Sequence, residues 1–77
     1  MYSDEEKELL QKAVYALKSE KLVKGAGFLF TWMVIEKIRT GLSINDKELI
    51  SSVQDGLEID AYDLSRMLKS LRKNNYI

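Results

Sequence analysis

The chain is expected to fold as an all-helical domain of four main helices, on three observations. It has no proline, and its four glycines (Gly25, Gly27, Gly41, Gly56) punctuate segments of helical periodicity. Within those segments apolar residues recur every three to four positions, which gives each helix an inward stripe. Helix-start signals open three of the segments. At 77 residues there is room for one domain. Residues 1–41 are read as N-terminal helices that form a dimer contact, and residues 42–77 as a helix-turn-helix.

The first helix is expected from Asp4 to Glu20. Ser3 followed by Glu6 is a capping box: the hydroxyl accepts from the third helical N–H while the carboxylate reaches back. Leu9, Leu10, Ala13, Val14 and Leu17 make its apolar stripe, and Leu22 and Val23 pack where the chain leaves it. Gly25-Ala26-Gly27 marks a break or a tight approach between backbones.

The second helix is expected from Phe28 to Thr40 and is apolar nearly all round in its first two turns. A helix of that kind is covered by several neighbours, or by its own domain on one side and a second subunit on the other. Gly41 ends it.

The third and fourth helices start to one plan. Asn45 and Asp60 cap them, Glu48 and Asp63 take the third helical position, and Ile44 and Ile59 staple onto Leu49 and Leu64. The third helix runs from Asp46 to Gln54, with Leu49, Ile50 and Val53 inward; Asp55-Gly56 closes it and Leu57 tucks back. The fourth runs from Ala61 to Lys73 over a stripe of Ala61, Leu64, Met67, Leu68 and Leu71. Asn74-Asn75 supplies a left-handed stop, and Tyr76-Ile77 begins a strand or docks as a tail. The core so predicted comprises Leu10, Val14, Leu17, Phe30, Trp32, Val34, Ile35, Ile38, Leu49, Val53, Leu64, Leu68 and Leu71.

Composition argues against several functions. With no histidine and no cysteine, the chain lacks the usual general base, a thiolate and the commonest metal ligands. Asp60 and Asp63, three apart, are explained by a cap rather than by a catalytic pair. Gly25-Ala26-Gly27 lacks the rest of a phosphate loop or dinucleotide fingerprint, and Asp55 to Asp60 lacks the alternating oxygens of a calcium loop. No catalytic residue, metal ligand or cofactor is expected, and the chain is read as a non-enzyme. Its acidic start is unlike a signal peptide, and the apolar run from Phe28 to Ile35 is far below the ~20 residues of a membrane span. A cytoplasmic protein with no membrane partner is expected.

Net charge is zero but unevenly spread. Residues 21–42 hold four bases and one acid, residues 43–63 one base and six acids, and residues 64–77 four bases and no acid. Bulk charge therefore does not grip nucleic acid, but one basic helix can. Tyr62, Arg66, Lys69 and Lys73 recur at steps of four, three and four, on one side of the fourth helix, flanked by Ser65 and Arg72. Arg and Lys can meet guanine edges or phosphates in a major groove, and Ser and Tyr add backbone contacts. Asn45 and Lys47, at the start of the third helix, are candidates for contacts across the groove. Cations near a helix C-terminus are also favoured by the dipole alone.

At this point the chain resembles a known group. Ile35 to Leu49 and Ile59 to Ile77 resemble winged-helix DNA-binding domains of the MarR or replication-initiator type. The matching elements are Glu48-Leu49, the run Ser65-Arg66-Met67-Leu68-Lys69-Ser70-Leu71, and Tyr76-Ile77. The resemblance implies a helix-turn-helix, here with an extra N-terminal helix, and double-stranded DNA as partner of a transcription regulator. The short chain and the second helix, apolar nearly all round, predict a homodimer through the first two helices. The resemblance stops at Ile77, where such domains enter a β-hairpin wing, so a wingless version is expected. Asp46, Asp55, Glu58, Asp60 and Asp63 surround the motif with negative charge that opposes phosphate. A second expectation therefore stands beside the first: a phage- or plasmid-type module on the same scaffold that binds a host or regulatory protein instead of DNA.

Overall fold

The computed structural model describes residues 2–77, and among them it has four helices and no strand. These are α1 (Asp4–Lys18), α2 (Ala26–Thr40), α3 (Lys47–Leu57) and α4 (Ala61–Lys73). α2 is the central element: α1 lies antiparallel along it, bridged at the far end by Lys37 to Glu5 at 3.7 Å, and α3 and α4 pack onto its other sides. The fully buried side chains Leu29, Phe30, Met33 and Val34 of α2 meet Leu49 of α3 and Leu71 of α4. No helix is long and apolar enough to cross a membrane.

The α1 start is the expected capping box. The Glu6 N–H donates to Ser3 Oγ at 3.2 Å, and the Ser3 N–H donates to the Glu6 carboxylate at 2.8 Å. α1 stops at Lys18 rather than Glu20, because Ser19 is extended and its hydroxyl accepts the Lys21 N–H at 3.2 Å. Such a local bond offers the backbone an alternative to another helical turn.

α2 begins two residues earlier than expected. Gly25, left-handed at φ 89°, precedes Ala26, so Gly27 lies inside the helix. Gly27 is where α1 and α2 touch backbone to backbone: a Cβ there would sit 2.5 Å from the Ala16 carbonyl oxygen. Gly41, at φ 78°, ends α2 as expected.

The cap of α3 is Asp46, not Asn45. The Asp46 N–H donates to the Ser43 carbonyl at 2.9 Å and the Asn45 N–H to Ser43 Oγ at 3.3 Å, which places Asn45 within a turn. Asp46 Oδ1 then accepts the Glu48 N–H at 2.8 Å. α3 also runs through Asp55-Gly56 to Leu57, and Glu58 closes it in the left-handed region at φ 55°. The Ile59 N–H donates to the Gln54 carbonyl at 3.1 Å, while the Gln54 side-chain amide donates to the Ile59 carbonyl at 3.1 Å. Left-handed backbone costs a residue with a Cβ about 1–2 kcal/mol. Glu58→Gly is therefore expected to raise stability by about 0.5–1 kcal/mol after the extra entropy of glycine, read as a higher urea midpoint at unchanged slope.

α4 has the expected bounds, with Asp60 Oδ1 accepting the Asp63 N–H at 2.8 Å. Asn75, at φ 65°, supplies the left-handed residue beyond it. The Asn75 N–H donates to Arg72 and the Tyr76 N–H to Leu71, the Schellman pattern. Tyr76 then docks on Phe30, ring centroids 5.3 Å apart, so the end of the chain is a docked tail.

The core differs from expectation at one face. Val14 (49% exposed), Leu17 (55%), Trp32 (39%) and Ile35 (39%) are at the surface, as is Phe28. Ala61 of the α4 stripe is exposed too. In α1 the buried contacts are made by Ala13 and Ala16, with Leu9 and Leu10 half-buried. Beside Gly27 small residues fill the α1–α2 seam and leave no room for Leu17 and Phe28, while Trp32 lines an open hollow against Ser52, Val53, Gly56 and Leu57 of α3.

Candidate nucleic-acid interface

α4 presents two sides. Leu68, Ser70 and Leu71 are buried, while Tyr62, Ser65, Arg66, Lys69, Arg72 and Lys73 are exposed. The helix thus brings five of the expected site residues (Tyr62, Ser65, Arg66, Lys69 and Lys73) onto one open face. The Arg66 guanidinium lies 5.9 Å from the centroid of the Tyr62 ring and 3.7 Å from the Asp63 carboxylate. Both contacts are solvent-exposed, and an exposed ion pair is worth about 0–1 kcal/mol, so Arg66 is free to exchange them for another partner. Arg66–Lys69 and Lys69–Lys73 are like-charged neighbours three and four residues apart, each costing roughly 0.2–0.5 kcal/mol. The C-terminal end of the helix dipole partly offsets that cost for Arg72 and Lys73.

Asn45 and Lys47 are exposed ahead of α3 and at its first residue. Neither lines the two basic clefts beside α4.

What spacing alone could not reveal is the approach of the α1–α2 linker to α4. The Val23 N–H donates to Ser70 Oγ at 3.1 Å across 47 positions of sequence. The Met67 methyl packs on Gly25, where an added Cβ would meet it at 2.8 Å. These contacts seat Lys21 beside Arg66, Lys69 and Lys73 around an open cleft of about 600 Å³, and Lys24 beside Arg66 in an adjoining one. The only trace of this in the sequence is the spacing of three in Lys18, Lys21 and Lys24 together with the basic excess after residue 20.

Elsewhere, the Glu36 carboxylate accepts from Arg39 Nε at 3.1 Å and from Nη2 at 2.8 Å. The bidentate bond holds the Glu36 pKa below and the Arg39 pKa above its ordinary value. This pair belongs to the last turns of α2 and lines none of the basic clefts. Among the described residues no cluster of three or more acidic, histidine or cysteine side chains is placed to hold a metal ion.

Compared with known protein families, curated proteins and solved structures, the chain matches none of them.

Proposed function

We propose that the chain is a small DNA-binding transcription regulator in which α3, the turn Glu58–Asp60 and α4 act as a wingless helix-turn-helix and α1 is the additional N-terminal helix. The observation that carries this reading is the open face of α4, where Arg66, Lys69, Arg72 and Lys73 stand clear of the core with Tyr62 and Ser65. A helix fits the major groove with one such face toward the bases, and the apolar side of α4 stays anchored on α2. Asp60 and Asp63 make the N-terminal tip of α4 acidic, so the phosphate contacts belong to its C-terminal half.

The test is a titration of the full chain with random duplex DNA across a salt series. Binding should weaken with log salt by about 0.9 for each phosphate neutralised. Arg66→Ala is expected to cost about 1–3 kcal/mol on a preferred sequence and to relax the preference at one position. Lys73→Ala is expected to weaken all sequences alike and flatten the slope by about one unit. An Arg66→Ala protein that stays folded and binds like the parent would remove α4 as a recognition helix.

The exposed apolar face supports a homodimer through α1 and α2. Val14 and Leu17 share one side of α1; Phe28, Trp32 and Ile35 share one side of α2; and Leu17 and Phe28 line a common hollow. Phe28 meets Trp32 edge to face, 6.3 Å between centroids. A domain this small gains stability by covering such a face with a second copy. Sedimentation at micromolar concentration should show two-chain mass, and Trp32→Glu should return it to one chain with helicity retained. The same face also favours the second reading, an interaction module that docks a different protein. A one-chain species at every concentration, with no salt-sensitive DNA binding, would decide for that module.

A further inference from the structure

We infer that the cleft between the α1–α2 linker and the C-terminal half of α4 is a phosphate-binding site, with Lys21 closing it from the linker side. Three features converge there. The first is charge: Lys21, Arg66, Lys69 and Lys73 line the cleft, and no acidic side chain does. Asp63, paired with Arg66, lines the adjoining cleft instead, and Glu20 is outside the lining. A concave surface of one sign focuses its field and concentrates counter-ions.

The second feature is a fixed donor. The Ser70 hydroxyl is buried at the cleft and accepts the Val23 N–H, which leaves its own hydrogen available for an oxygen ligand. The third is rigidity of the opposing wall. The linker is tied to α4 by that bond and by Met67 against Gly25, so Lys21 is carried to the cleft by a held segment rather than by a free loop.

The ligand class that fits is a phosphate oxyanion with several charges close together. A run of backbone phosphates and a free polyphosphate share this chemistry. The inference rests on the DNA reading only for the source of the phosphate. With duplex DNA as that source, the linker and α4 clasp one strand from two sides.

The experiment follows the backbone amides of the isotope-labelled full chain by NMR during titration with sodium tripolyphosphate at low salt. The parent, Lys21→Ala and, as a control, Lys12→Ala on the exposed side of α1 are also titrated with random duplex DNA. Saturable shifts are expected at Lys21, Val23, Ser70 and Asn74, and Lys21→Ala should weaken them while Lys12→Ala leaves them unchanged. In the duplex arm Lys21→Ala should lower affinity roughly three- to tenfold and flatten the salt slope by about 0.9.

Shifts spread evenly over every lysine-bearing surface, or a Lys21→Ala protein that responds to tripolyphosphate like the control, would overturn the site. Duplex binding that is intact in both variants would overturn the linker clasp and leave the DNA reading on α4 alone. Tripolyphosphate seated in the cleft without any duplex binding would keep the site, assign it to a free phosphate ligand, and count against the DNA reading.

Discussion

Replacing Phe30 with alanine is expected to remove about 3–5 kcal/mol of stability, a large share of what a domain of this size possesses. Phe30 is fully buried on the inner side of α2 and carries the Tyr76 ring that docks the end of the chain. Truncating a buried phenylalanine loses its transfer free energy and leaves a cavity that close-packed neighbours fill only in part. A chain of 77 residues is held by roughly 4–12 kcal/mol in total. The variant should therefore have a sharply lowered urea midpoint, or be unfolded in buffer. Phe28→Ala, two residues earlier on the exposed side, should cost under about 1 kcal/mol when the protein is dilute. Equal costs for the two variants under dilute conditions would show that the two sides of α2 are wrongly assigned.

Gly27→Ala is expected to destabilise the fold by about 2 kcal/mol. Two effects oppose each other. Alanine favours a helix interior over glycine by about 0.5–1 kcal/mol. Against that, the new Cβ would lie 2.5 Å from the Ala16 carbonyl oxygen and 2.8 Å from its carbon. Those are backbone atoms that cannot rotate away, and overpacking of this kind costs up to about 3 kcal/mol. The clash wins, and thermal unfolding should fall by roughly 10 °C at this chain length. Gly56→Ala supplies the opposite sign: Gly56 lies within α3 with open space around it, so only the helix gain of about 0.5–1 kcal/mol applies. If both substitutions stabilise, α1 and α2 are not in backbone contact.

The contrast between these glycines explains how much of the fold the sequence disclosed. Local signals read correctly: the Ser3–Glu6 box, the Asp60 cap, the Gly41 stop and the left-handed Asn75 each depend on atoms a few residues apart. The basic face of α4 was legible for the same reason, since helical spacing alone sets it. Asn45 and Asp46 can both cap, so the sequence does not choose between them, and the Ser43 turn does. The core calls for more. Periodicity marks which side of a helix is apolar, but α2 is apolar on nearly every side. What selects its inner side is the small-residue seam of Ala13, Ala16 and Gly27, and size complementarity across two helices is not a periodic signal. Lys21 was invisible as a neighbour of α4 for a related reason: a single linker hydrogen bond to Ser70 sets its place.

The position of Trp32 has a spectroscopic consequence. It is the one tryptophan in the chain, and it stands at the rim with the edge of Phe28 against it rather than in the interior. In the isolated chain its indole is part-open to water and part-covered by Phe28 and the α3 wall of Ser52, Val53, Gly56 and Leu57, so unfolding uncovers the remainder and moves its emission to the red. Anything that covers α1 and α2 dries that ring and moves its emission to the blue, in proportion to occupancy. Intrinsic fluorescence in this protein is thus a gauge of contact as well as of folding, with band shifts of opposite sign, and a dilution series read at the tryptophan band follows the apolar face without any label.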